Sequence, residues 1–203
     1  TWSAQSNPYA VDLTVMWFID DQHGWIGLPD GVLKTTNGGA TWFKTGAGIP
    51  ARVNDIQFFD ANRGVLVTLS AFGGRGVVEI TSDGGETWTS TTCTAPWPEH
   101  CDRVWALHFP TQQFGIAVGG FVHSYQYVST NGGASWTTRG DSIQFREPSE
   151  VYFYDVNNGW AAVGSNYLRT SNGGQSWSQF SGPTADDIQL ITPSLGFVAG
   201  YNG

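Results

Sequence analysis

The sequence predicts an all-β protein assembled from repeated four-stranded antiparallel units, and three observations carry that prediction. A polar turn recurs four times: Thr35–Trp42, Thr81–Trp88, Ser129–Trp136 and Thr170–Trp177 each run hydroxyl, Thr or Ser, Asn or Asp, Gly-Gly, one residue, hydroxyl, Trp. The tryptophans Trp2, Trp42, Trp88, Trp136 and Trp177 stand 40, 46, 48 and 41 residues apart. A period in the 40s marks a propeller or a helical array. The apolar runs between the turns are short, β-branched and aromatic, and runs of helix formers are absent, which decides for strands. Four short antiparallel strands per repeat make the blade of a β-propeller.

Within each unit the elements follow in one order. The innermost strand is predicted at Val53–Phe59, Val104–Phe109 and Val151–Tyr154. A polar turn leads to a second run that opens on glycine, at Gly24, Gly64, Gly115, Gly159 and Gly196. The third strand (Val32–Thr35, Val77–Thr81, Tyr125–Val128, Tyr167–Thr170) enters the repeated turn. There Asn37, Asp83, Asn131 and Asn172 can accept from backbone amides further along. The paired glycines supply positive φ without a Cβ clash. Trp42, Trp88, Trp136 and Trp177 then open the outer strand, with rings expected between neighbouring sheets. Blades are expected at about 11–46, 52–92, 102–140 and 149–181, with partial blades at 1–6 and 186–203. The missing strands at both ends lead to the expectation of a stretch of a larger propeller.

The turn pattern resembles the Asp-box, or BNR, repeat. The fuller unit is most similar to non-enzymatic propellers of the photosystem II assembly-factor type, the Ycf48-like group. Sialidases, family 74 xyloglucanases and sortilin-type receptors share the repeat. The resemblance implies that the box is a structural turn on the face away from ligand, and moves attention to the irregular loops.

Composition narrows the partners. The 203 residues carry a net charge of −8, and Lys34 and Lys44 are the only lysines. That argues against nucleic acid, which needs a basic stripe. No apolar run reaches the roughly 18 residues of a membrane span. Cys93 and Cys101 bracket a short loop with two prolines, which reads as a local disulfide and an extracellular or periplasmic setting. The histidines show no metal-ligand spacing, and no phosphate-loop, nucleophile-elbow or zinc-protease motif is present, so neither cofactor nor metal is expected.

The loops between blades and between second and third strands are the expected ligand face. Trp97 at the tip of the cysteine loop, Arg75, His123, Tyr125 and Arg146 are its candidate contacts, for a protein or glycan partner. Asp12, Asp55, Glu150 and Asp186-Asp187 stand where innermost strands begin and can ring a central channel. They support the competing expectation of a glycoside hydrolase, which needs two facing carboxylates. The balance leans to a non-catalytic binding or assembly module. A structural subunit of an extracellular assembly is the third expectation.

Overall fold

The computed structural model describes residues 9, 11–46, 49, 51–69, 76–94, 104–119, 125–139 and 148–200. Four sheets follow one another along the chain, each with four antiparallel strands in simple sequence order, and one of them carries a fifth strand at its edge. The first blade holds β1 (Met16–Phe18), β2 (Gly24–Leu28), β3 (Gly31–Thr35) and β4 (Phe43–Thr45). The second holds β5 (Arg52–Phe58), β6 (Gly64–Leu69), β7 (Gly76–Thr81) and β8 (Thr89–Ser90). A short strand, β9 (Thr92–Thr94), follows. The third blade holds β10 (Val104–His108), β11 (Gly115–Gly119), β12 (Tyr125–Ser129) and β13 (Ser135–Thr138). The fourth holds β14 (Glu150–Phe153), β15 (Gly159–Val163), β16 (Asn166–Thr170) and β17 (Ser178–Ser181). A two-stranded hairpin, β18 (Asp187–Thr192) with β19 (Leu195–Ala199), stands next to it. No described segment is helical.

The stretch after β8, expected as loop, contributes a strand. β9 runs parallel to β13 with Thr92 opposite Ser135, Cys93 opposite Trp136 and Thr94 opposite Thr137. The chain therefore stitches the outer edge of the third blade before entering its innermost strand. Such edge closure shields backbone groups that a lone outer strand would leave unpaired. Cys101 lies outside the described residues, so the expected disulfide does too.

The opening glycine of each second strand has a steric cause. It pairs with the phenylalanine that ends the innermost strand, as Phe18 does with Gly24, Phe58 with Gly64 and Phe153 with Gly159. The phenyl ring lies flat over the glycine: a Cβ on Gly64 would stand 2.8 Å from the Phe58 ring, and one on Gly159 2.6 Å from that of Phe153. The repeated tryptophan then meets the same ring edge-on. Trp42–Phe18, Trp88–Phe58, Trp136–Phe109 and Trp177–Phe153 have centroids 5.5–5.9 Å apart and planes at 80–89°. The tryptophan thus closes its own blade, and through that ring reaches the interface with a neighbour. Edge-to-face pairs of this kind add about 0.5–1.5 kcal/mol each beyond area burial.

The core lies between blades. Trp25, Val32, Ile56, Phe58 and Leu66 fill the first interface, where Trp25 stacks on Phe58 at 3.6 Å and donates from Nε1 to Gly84 O at 3.0 Å. Val65, Val67 and Val78 meet Leu107, Phe109 and Trp136 in the second. Ile116, Val118 and Val128 meet Val151, Phe153 and Leu168 in the third, and Ala162 and Tyr167 meet Ile188 and Leu190 in the fourth.

The repeated turn is a closed hydrogen-bonded unit. In the second blade Thr81 Oγ1 donates to Asp83 Oδ1 at 2.8 Å and accepts from the buried Gly85 N at 3.0 Å. Asp83 also accepts from Thr87 N and Oγ1, at 3.0 and 2.5 Å. In the Asn copies the same bond reverses: Asn37, Asn131 and Asn172 donate from Nδ2 to the hydroxyls of Thr41, Ser135 and Ser176. Asn and Asp are interchangeable here because a hydroxyl can either donate or accept. The first glycine of each pair ties the turn to the blade's first hairpin: Gly38 N donates to Gln22 O, Gly84 N to Asn62 O, Gly132 N to Gln113 O and Gly173 N to Asn157 O. Both loops occupy one face, at the far ends of the innermost strands.

Candidate functional site

The other ends of the innermost strands, where the chain arrives from the loops between blades, enclose a cavity of about 530 Å³. Its walls come from β1, β5, β10, β14 and β18, with Trp17, Trp105 and Tyr152 as aromatic surface and Asp55, Glu150, Asp186 and Asp187 as acidic groups.

Register explains which side chains gather there. Counted back from the residue opposite each glycine, the third position is Val15 in the first blade, Asp55 in the second, Ala106 in the third, Glu150 in the fourth and Asp187 in the hairpin. Two blades and the hairpin thus place a carboxylate at one level of the channel and the first blade places Val15 there, while Ala106 is buried in the interface with the fourth blade.

The position just before the phenylalanine performs a second task. Trp17 donates from Nε1 to Phe58 O at 3.1 Å. Gln57 donates from Nε2 to Phe109 O and accepts from Phe109 N at Oε1, both at 2.9 Å. His108 accepts at Nδ1 from Phe153 N at 3.2 Å. The innermost strands of the first three blades are therefore each bonded through one side chain to the next strand's backbone, although Trp, Gln and His share no chemistry that a sequence pattern would group.

The carboxylates are electrostatically strained. Asp55 accepts from Ile56 N at 2.8 Å and from Leu107 N of the next blade at 2.7 Å. Surrounding protein nevertheless pushes its carboxyl up to about 7, against those two donors, and the Asp187 charge adds to the rise. Glu150 is raised well above the ordinary carboxylate range by burial first and then by the charges of Asp55 and Asp187, while Val151 N holds its Oε1 at 2.9 Å. Both side chains keep partial contact with the cavity, so the rise comes from walling-in by protein rather than complete exclusion of solvent. Burial lowers His108 to about 4, which keeps its ring neutral. With Nδ1 accepting from Phe153, the ring proton sits on Nε2. Among the described residues no group of three or more His, Cys, Asp or Glu is placed to hold a metal ion.

Of the loop residues singled out from sequence, Tyr125 is described: it begins β12 and packs against the interface of the second and third blades, 6.3 Å from the Tyr127 ring. Trp97, Arg75, His123 and Arg146 lie outside the described residues. Asp55, Glu150, Asp186 and Asp187 were legible as strand-start acids, but Asp12, read in the same way, is exposed and does not line the cavity. His108, which the sequence places on an innermost strand in a core or channel-lining role, stands beside those four acids; what sequence reasoning missed is Tyr152, whose ring centroid lies 4.2 Å from that of His108. A second cavity of about 400 Å³, lined by Trp160, Phe180, Pro183 and Phe197, separates the fourth blade from the β18–β19 hairpin.

No family model matches the chain, and no curated protein matches it in sequence. Solved structures do. An ancestral GH74 enzyme superposes with a TM-score of 0.65 at 21% identity over 84% of this chain, and 24% of that enzyme is covered. Ycf48 from Cyanidioschyzon merolae gives 0.60 at 16% identity, covering 98% of this chain and 82% of that one. A structure of Ycf48 bound to D1 peptide gives 0.52 at 15%, covering 94% and 91%. The chain thus spans about a quarter of the GH74 enzyme and most of the Ycf48 chains. These likenesses show the fold: the protein is an all-β propeller of four-stranded antiparallel blades.

Proposed function

We propose that the chain is a non-catalytic binding module that takes its ligand at the channel mouth, on the face of the loops between blades. The observation that carries this reading is the cavity of about 530 Å³ with aromatic and acidic walls at the strand starts. Its size and mixed lining suit a ligand site. The repeated turns are Asp-box fasteners in this reading: their polar groups bond one another at the opposite ends of the strands. A Ycf48 neighbour carries a bound peptide, which supports a protein ligand over a glycan. An extracellular or periplasmic setting and assembly with further copies belong to the same proposal, the setting resting on the spacing of Cys93 and Cys101.

The test is a comparison of the wild-type chain with Gln189→Trp, an exposed cavity-lining position, on arrays of peptides and oligosaccharides. Filling the mouth abolishes capture if the channel is the site. Undiminished capture assigns the ligand to the loops instead.

A second reading, a glycoside hydrolase, draws on one observation. Glu150 is walled in, with its carboxyl raised well above the ordinary carboxylate range, and Asp187 is exposed on the wall of the same cavity. That is the disposition of a general acid and a partner carboxylate. Release of reducing ends from xyloglucan, lost in Glu150→Gln, supports this reading; no release removes it for that substrate.

A further inference from the structure

We propose that the channel mouth binds a basic side chain of a peptide, its guanidinium or ammonium group held among Asp55, Glu150 and Asp187 and a neighbouring carbonyl accepting from His108 Nε2–H. This inference rests on the binding-module reading and names its ligand class.

Two independent features meet in the cavity. The first is the acid side. Asp55, Glu150 and Asp187 occupy equivalent register positions on three strands, and Asp186 joins them, while no Lys or Arg stands among the described residues of the wall. Like charges gathered without a counter-ion repel, and a ligand cation relieves that repulsion. A neutral saccharide does not. Trp17, Trp105 and Tyr152 add ring faces and edges to the same wall, suited to a cation or to the apolar stem of an arginine or lysine.

The second feature is a donor. His108 is 9% exposed, and its Nδ1 is taken by Phe153 N–H. Its Nε2–H therefore has no acceptor among the described residues, yet the ring lines the cavity. The donor is open to the cavity rather than sealed in the core, and a ligand oxygen can accept from it there. Carboxylates beside one fixed donor match a group that carries positive charge next to a carbonyl. A peptide with a basic side chain has both. The cavity is large enough for one such side chain and its flanking peptide units.

Groups that titrate on the wall are Asp55 on β5, His108 on β10, Glu150 and Tyr152 on β14, and Asp187 on β18 with Asp186 before it; β1 contributes none. Asp55 and Glu150 take up protons more readily than ordinary carboxylates, so cation binding displaces protons and tightens as pH rises from about 5 to about 8.

Titration calorimetry with acetyl-Gly-Arg-Gly-amide and its uncharged citrulline analogue tests the proposal, alongside a xyloglucan oligosaccharide. The arginine peptide is expected to bind at least about tenfold more tightly than the citrulline peptide, with affinity falling as salt is raised. Glu150→Gln and Asp187→Asn are each expected to weaken it by about tenfold or more. Asp187 is exposed, so its variant remains informative if Glu150→Gln folds poorly. Equal binding of the two peptides, or peptide binding indifferent to both substitutions, overturns the cation site. Oligosaccharide binding blocked by Gln189→Trp, without arginine-peptide binding, overturns it too but leaves the channel as a binding site. Binding of none of the three overturns both readings.

Discussion

Replacing Gln57 by Met isolates the bond between neighbouring innermost strands. Gln57 is 7% exposed, and its amide exchanges two hydrogen bonds with the backbone of Phe109, each 2.9 Å long. Methionine keeps the length and most of the volume, so little cavity opens. What remains is one N–H and one C=O of Phe109, both beside the core, with neither bonded to that side chain. Each such orphan costs about 1–3 kcal/mol, which gives a loss of about 2–6 kcal/mol in all. For a domain whose total stability is about 5–15 kcal/mol, that is a large share. Urea unfolding followed by tryptophan fluorescence measures it, with the midpoint moving and the slope unchanged. Gln179→Met is the control: its amide donates to Asn166 Oδ1 at 2.7 Å on an exposed strand pair, and its removal is expected to change stability by no more than about 0.5 kcal/mol. A loss below about 1 kcal/mol at Gln57, or equal losses at both positions, refutes the assignment of interblade cohesion to this bond.

Other expectations follow from neighbouring features. Gly64→Ala drives a methyl to 2.8 Å from the Phe58 ring, and thermal unfolding should register a loss of about 1–3 kcal/mol. Asp83→Ala, which strips acceptors from Thr81 and Thr87, should lower stability by about 1 kcal/mol or more while leaving ligand affinity unchanged. Glu150→Gln should gain stability relative to wild type as pH rises. Below the ordinary value of 4.5 both states of wild type are protonated and the two proteins match. Above it the unfolded chain releases a proton that the folded one retains, so wild-type stability falls and the variant's does not. His108, held near 4, acts oppositely in both proteins, adding stability between about 4 and 6.5, and cancels in the difference.

The turns were legible because one requirement recurs in one chemistry. Positive φ needs glycine, and the hydroxyl–carboxamide closure needs Asn or Asp, so Asn37, Asp83, Asn131 and Asn172 appear in a fixed frame. The acids at the channel were legible for a similar reason, since Asp55 and Glu150 stand three residues before a phenylalanine. The interblade bonds were not. Trp17, Gln57 and His108 do one job with a donor, a donor–acceptor pair and an acceptor. Only the partner strand's backbone reveals their equivalence. Strand β9 escaped because Thr92-Cys93-Thr94 is short and runs into a proline-rich stretch; its pairing depends on the edge of β13, more than 40 residues later.

The channel mouth is tested most directly by backbone amide chemical shifts on titration with acetyl-Gly-Arg-Gly-amide. The account predicts saturable shifts at Asp55, Leu107, Glu150 and Asp187, and none at Asp83, Asn131 or Asn172 on the opposite face. Shifts centred on the repeated turns, with the four channel amides unmoved, would contradict it.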